Sequence, residues 1–276
     1  MKVAKIPLWS LATAMAMVCT PAMAQDSEDR DEAADIVVTG EEEPVEALPI
    51  QTEESATVSI GTRQVGSEAG RFARCVPQQP PQRLRAILDE RPNGPVSEGA
   101  LHDYVVRNRG CYGTMSYQPR AYYGQCNPQI VSEAPPVFAC RSLFDRGLLF
   151  EQAVMKQARS IDFSKEAMAV PGVTQRFLAR EDERNATRAQ PQKTFFFAVS
   201  CMIRINPEYA LLLLESEPNS DAETEMRARL IGNGSACLGG ITDVQVDSNQ
   251  FRVFTAEAVY GWMAAIAGKQ TLVEDS

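Results

Sequence analysis

The chain carries one histidine, His102, and an imidazole does chemistry when a carboxylate orients it or a nucleophile lies beside it. Two acids are placed to join it, Glu151 and Glu257, each on a helix that closes a corresponding half of the chain. A carboxylate pair with His102 would suit acid–base hydrolysis. Against this, the position equivalent to His102 in the second half is Ala228, so the imidazole is no repeated feature. A Cys–His nucleophile would need a free thiol, which the pairing of the cysteines below does not leave. The stretch GNGSACLGG (Gly232 to Gly240) resembles a phosphate-cradling loop but lacks the Lys-Ser/Thr that must follow, and glycine after a helix ordinarily ends it. Nucleophile elbow, dinucleotide fingerprint and metal-ligand spacing are all missing from the sequence. Trp262 sits in an apolar helical run and reads as core. The expectation is a protein that is not an enzyme, with no catalytic residue, no metal site and no cofactor.

What would position such residues is a sequence that repeats itself. Cys75 to Gly94 reads CVPQQPPQRLRAILDERPNG, and Cys201 to Ser220 reads CMIRINPEYALLLLESEPNS. Adding 126 to the numbering superposes the halves without a gap from Cys75 to Gly113, matching Cys75 to Cys201, Pro81 to Pro207, Leu88 to Leu214, Pro92-Asn93 to Pro218-Asn219, Cys111 to Cys237 and Gly113 to Gly239. These residue types punctuate folds, so one unit duplicated is the expectation.

Each unit reads as helices. Asn206 is the expected N-cap before Pro207, with Glu208 favouring the positive end of the helix. Ile87-Leu88 form the buried stripe of the first copy, and Pro92 and Pro218 stop the two helices. A second helix is expected from Ser220, with Glu223 completing a capping box. Its counterpart is expected from Ser97, with Leu101, Tyr104 and Val105 at helical spacing. Phe72, Cys75 and Val76 share that spacing, which argues that FFFAVSCMI (Phe195 to Ile203) is helix too. The units close with helices over Asp145 to Ala158 and Phe254 to Gly268; aligning these changes the offset to 105, so the first copy holds about 21 extra residues. Between the units, Thr174 to Gln190 is so charged that it reads as a solvated helical connector. The fold expected is mainly α: two related, disulfide-stapled helical units, 66–160 with the insert and 193–270, joined by a connector over 161–192.

Beyond Cys19 the chain holds six cysteines, and six allow fifteen pairings. Duplication selects one. Whatever Cys75 bonds must have an equivalent in the second copy, giving Cys75–Cys111 and Cys201–Cys237, and Cys126–Cys140 in the insert remains.

Residues 1–24 read as a secretory signal peptide: Lys2 and Lys5, an apolar run from Ile6 to Val18, and Ala22-Met23-Ala24 as a cleavage site, so cleavage is expected near Ala24. The mature chain is therefore expected in the periplasm or outside the cell, without a membrane span. The 36 acids against 27 basic residues are unevenly spread. Twelve acids against Arg30 fall between Gln25 and Glu54, and from Ser55 onward the charges balance at 24 each. Residues 25–65 thus read as a disordered acidic tail. Neither tail nor body offers the basic face that nucleic-acid binding requires.

Within the tail, Asp35 to Gly40 reads DIVVTG. It resembles the TonB box of TonB-dependent outer-membrane receptors, which pairs as a strand with the energy-transducing protein TonB. The chain as a whole looks like small exported alphaproteobacterial proteins that carry an IVVTG segment before a helical, Cys-containing body. That resemblance implies an envelope location and a TonB-like protein partner, bound through Ile36, Val37, Val38 and Thr39. The function expected is a periplasmic helical-repeat interaction or structural module. The alternatives are a hydrolase using carboxylates with His102, and a carrier of a small apolar ligand in the cleft between the units.

Overall fold

Prolines and glycines set the element boundaries. In a computed structural model, which describes residues 66–111, 141–239 and 247–275, all within one unit (Ile50–Ser276), helix α1 covers 66–75 and ends where Pro77 and Pro80 disfavour helical backbone in the residues before them. Pro81 then opens α2 (Pro81–Leu88), and Pro95 opens α3 (Pro95–Arg107) behind Gly94. A 3-10 turn, Arg109–Cys111, follows. Beyond the undescribed residues come α4 (Arg141–Gln157), the short α5 (Lys165–Ala169) and α6 (Val173–Arg184). The second half holds α7 (Gln190–Ile205), α8 (Pro207–Glu215), α9 (Asp221–Asn233), a 3-10 turn at Ser235–Leu238 and α10 (Ser248–Ala267). The described residues are all-helical, with no strand among them.

Helix α10 is the axis of the molecule. Its apolar residues run all round it, from Phe251 to Ala265, and such a helix can only be a core helix. It packs mainly on α4, then on α7, α6 and α8. Two glycines permit the approach. A Cβ on Gly147 of α4 would lie 2.6 Å from Val253 Cγ2, and one on Gly261 of α10 would lie 2.8 Å from Glu181 Oε1. Trp262 is core, as expected: its ring stacks on Phe177 with centroids 3.9 Å apart, and its Nε1–H donates to Ser200 O at 3.1 Å.

Both repeat disulfides are present. Cys75–Cys111 and Cys201–Cys237 each span 36 residues, with Cα atoms 5.6 Å and 5.8 Å apart. Each ties the helix that opens a half to the 3-10 turn that follows its third helix. The starts of α2 and α8, of α3 and α9, and of the two 3-10 turns are each separated by the sequence offset of 126. Cys126–Cys140 lies outside the described residues, as do the leader, the tail and the IVVT segment.

Several expectations need correction. Ser97 does not start α3; it lies inside the first turn and donates through Oγ to Ile87 O at 3.1 Å. Asn206 stands at the N-cap of α8, but its side chain accepts no capping hydrogen bond and instead meets Asn233 at 3.4 Å. Pro207 already removes one orphan donor there. Ser220 does cap α9, accepting from Glu223 N at 3.2 Å, while Glu223 reaches back to Asn219 N. The last helix begins six residues before Phe254, because Asp247 caps it by accepting from Gln250 N at 2.9 Å. The largest correction concerns the connector. The helix α6 is solvated on one face only: it buries Val173, Phe177, Glu181 and Arg184 on the side packed on α10.

Candidate functional site

The charges of α6 fold inward because the apolar stripe Val173, Phe177, with Glu181 and Arg184 in register, faces the core. Arg188, just beyond, donates through Nη2 to both oxygens of Glu257 at 2.8 Å, and Arg184 pairs with the same carboxylate. Arg184 also donates to Glu181 at 3.1 Å and, through Nη1, to the carbonyls of Leu88 and Glu90 at the end of α2. Arg180 joins Glu181 and, at 3.1 Å, Asp89, whose carboxylate also accepts from Tyr260 Oη at 2.7 Å. The guanidinium groups of Arg184 and Arg188 lie over aromatic rings, 5.4 Å from Phe150 and 5.2 Å from Phe196, where flat cations are favoured. Burial alone would push the Glu257 carboxyl up, but Arg188, Arg184 and Arg146 together hold it down at about 2. Burial lowers the Arg184 guanidinium too, yet Glu181 and Glu257 leave it above its ordinary value.

Glu151 has a matching arrangement. Its two oxygens accept from Arg252 Nε and Nη2 at 3.0 and 2.7 Å, while Arg252 donates to Leu213 O and Leu214 O at the end of α8. Leu88 and Leu214 are separated by the sequence offset of 126. At both helix ends, where unpaired carbonyls carry partial negative charge, a buried arginine bridges the carbonyls to a carboxylate of a closing helix, Glu257 at the end of α2 and the partly exposed Glu151 at the end of α8. Glu151 and Glu257 are therefore not a carboxylate pair with each other: each is held by arginine, and Glu257 lies far below the range of a general acid or base at neutral pH. His102 lies half-buried on α3. Gly234 and Gly239 end α9 and the turn after it, with Gly239 at φ 60°, so the described part of GNGSACLGG is a helix terminus. Among the described residues, no three His, Cys, Asp or Glu gather as a metal site, and no single helix is long and apolar enough to cross a membrane.

A wider concave feature lies away from these acids. A cleft of about 490 Å³ opens between α1, α2, α4 and the C-terminal segment after α10. Val76, Leu84, Leu149, Ala153 and Val273 give it apolar walls, and Lys156 stands among its polar residues. First-half helices form most of the cleft, and one wall is the segment that follows α10. Arg85 Nη2 donates to Val273 O at 2.9 Å and pairs with Asp275 at 2.6 Å; Gln157 Nε2 donates to Glu274 at 3.0 Å; Leu272 N donates to Tyr260 Oη at 3.1 Å. Sequence reasoning ended the second unit at residue 270 and so missed Leu272 and Val273, both buried. The signal was there in Leu272-Val273, an apolar pair before Glu274-Asp275. It also missed the inward arginines, although Phe177, Glu181, Arg184 and Arg188 recur at helical spacing.

Two disulfides fit an oxidising compartment, extracellular or periplasmic. No protein-family model, curated protein or solved structure matches the chain.

Proposed function

We propose that this protein is an exported periplasmic binding module, released by signal cleavage near Ala24 and built by duplication of one helical unit, and that the cleft beside α4 holds its ligand. The observation that carries the reading is the cleft itself. Its volume of about 490 Å³ falls in the 300–1,000 Å³ range of small-molecule sites, and apolar walls with few polar groups are the usual lining of such sites. The acids that hydrolysis would use are engaged by Arg184, Arg188 and Arg252, so binding accounts for the concave surface better than catalysis does. The ligand class that follows is a small, largely apolar molecule. Titration with an apolar fluorescent probe such as N-phenyl-1-naphthylamine tests it. Saturable binding to the wild type, lost when Ala153→Trp fills the cleft, supports the reading; equal response from both proteins contradicts it.

A second reading concerns the tail. Ile36 to Thr39 is β-branched throughout and embedded in acids, and such a segment adds as a strand to an exposed sheet edge of a basic partner. A TonB-like protein is the partner that the resemblance implies. Replacing Val37 and Val38 by proline abolishes pull-down of that partner if strand addition is the mode; unchanged pull-down rejects it.

A further inference from the structure

Most polar groups that line the cleft beside α4 are already spent or lie at its exposed rim. Gln79 donates through Nε2 to Pro77 O at 2.7 Å and accepts from Arg83 Nη1 at 2.7 Å. Lys156 pairs with Glu274 at 3.2 Å, and Asp275 with Arg85 at 2.6 Å. Gln78 and Gln152 are exposed. Tyr104 of α3 differs from all of these. It lines the cleft and is only 2% exposed, yet its hydroxyl makes no hydrogen bond among the described residues. The ring is held in place by Phe72, which meets it edge-on with centroids 5.2 Å apart. Leaving a buried hydroxyl without a protein partner costs stability, and packing does not require it: the offset of 126 pairs Tyr104 with Leu230, buried on α9.

The surroundings fix what this hydroxyl can do. Burial first, and then the charge of the Asp145 carboxylate, push the Tyr104 phenol well above its ordinary value. It therefore keeps its proton at physiological pH and stands ready to donate. Asp145 is itself paired with Arg141 at 3.2 Å. It lies on the same face of α4 as Leu149, Gln152, Ala153 and Lys156, which follow it at helical spacing and line the cleft. The phenol thus belongs to the Asp145 end of the cleft, about three turns of α4 from the exposed Lys156.

We propose that Tyr104 determines the specificity of the cleft, its hydroxyl donating a hydrogen bond to a neutral acceptor oxygen, the carbonyl of a ketone, aldehyde or ester, on an otherwise apolar ligand. This rests on the cleft being the ligand site and names the polar group that the ligand carries. A buried donor selects for an oxygen because an analogue without one leaves the donor unpaired. A carboxylate is disfavoured at this end, since the Asp145 charge opposes it.

Two fluorescent probes test the oxidised protein. Prodan carries an aryl ketone whose emission moves to longer wavelength when the carbonyl accepts a hydrogen bond; N-phenyl-1-naphthylamine has no such oxygen. Both bind the wild type saturably. Tyr104→Phe, which removes only the hydroxyl, weakens Prodan by about 5-fold, moves its bound emission to shorter wavelength and leaves N-phenyl-1-naphthylamine unchanged, while the thermal midpoint of the free protein does not fall. On the wild type alone, 2-acetylnaphthalene displaces N-phenyl-1-naphthylamine at lower concentration than 2-naphthoate does. Equal Prodan affinity and emission in the two proteins, an equal loss for both probes, or a midpoint several degrees lower in Tyr104→Phe overturns the proposal. Displacement by 2-naphthoate as readily as by the ketone overturns it too, and decides the matter should the variant fail to fold. Failure of the cleft as the ligand site reads differently: both probes then bind Ala153→Trp as they bind the wild type, and the inference falls with it.

Discussion

Glu257 shows what a buried carboxylate does when three arginines face it. Held at about 2, well below the ordinary 4.5 or so of an unfolded chain, it binds its proton less readily when folded. Its contribution to stability is therefore full above the unfolded value and is lost as pH falls from about 5 towards 2. A shift of this size corresponds to about 3 kcal/mol. Glu257→Gln leaves Arg184 and Arg188 without a counter-charge and is expected to cost about 3–5 kcal/mol near neutral pH. Urea unfolding at a series of pH values checks both statements: the wild type weakens steeply below pH 5 or so, and the variant shows a shallower decline. His102→Ala, by contrast, changes a half-buried position that the offset of 126 matches to Ala228, and is expected to shift stability by less than about 1 kcal/mol. The acids were visible in the sequence, one on each closing helix, but their role was not. The sequence placed Glu151 and Glu257 each on a closing helix; only the fold shows that arginines from α6, its following turn and α10 reach them.

At the scale of elements, the punctuation was readable and the burial was not. Pro81, Pro207 and Ser220 open their helices where the sequence places them, because proline and a capping hydroxyl act locally. Helix α6 was misread because five of the seven residues from Arg180 to Ala186 are charged, and charge count is a poor guide where guanidinium groups stack on rings and pair in the core. The Asp247 cap was missed because its helix's apolar stretch starts late. The two disulfides were reached by the demand that equivalent units bond equivalently, an inference from pattern and not from geometry. Each closes a 36-residue separation, for which the chain-entropy model gives about 4 kcal/mol. Cys201→Ser and Cys75→Ser are each expected to lower the unfolding free energy by about that amount, read from chemical denaturation under oxidising conditions. A loss below about 1 kcal/mol in both would mean that helix packing alone holds the openings of the two halves.

For the whole molecule, the net charge and the cleft fall in different regions. The net negative charge belongs to residues before Ser55, and the body that carries the cleft is balanced. Nothing in composition or spacing announces the cleft, since its walls come from α1, α2, α4 and a C-terminal strap far away in sequence. On the function proposed above, the charged residues of the body build its core while the cleft holds the ligand. Native mass spectrometry of the oxidised protein, purified from its own host without detergent, tests this most directly. The wild type is predicted to carry a bound small molecule that dissociates on collisional activation, and Ala153→Trp, with an unchanged thermal midpoint, is predicted to carry none. An identical ligand load on both proteins, or an empty wild type alongside turnover of an ester or peptide substrate that depends on His102, would contradict the account.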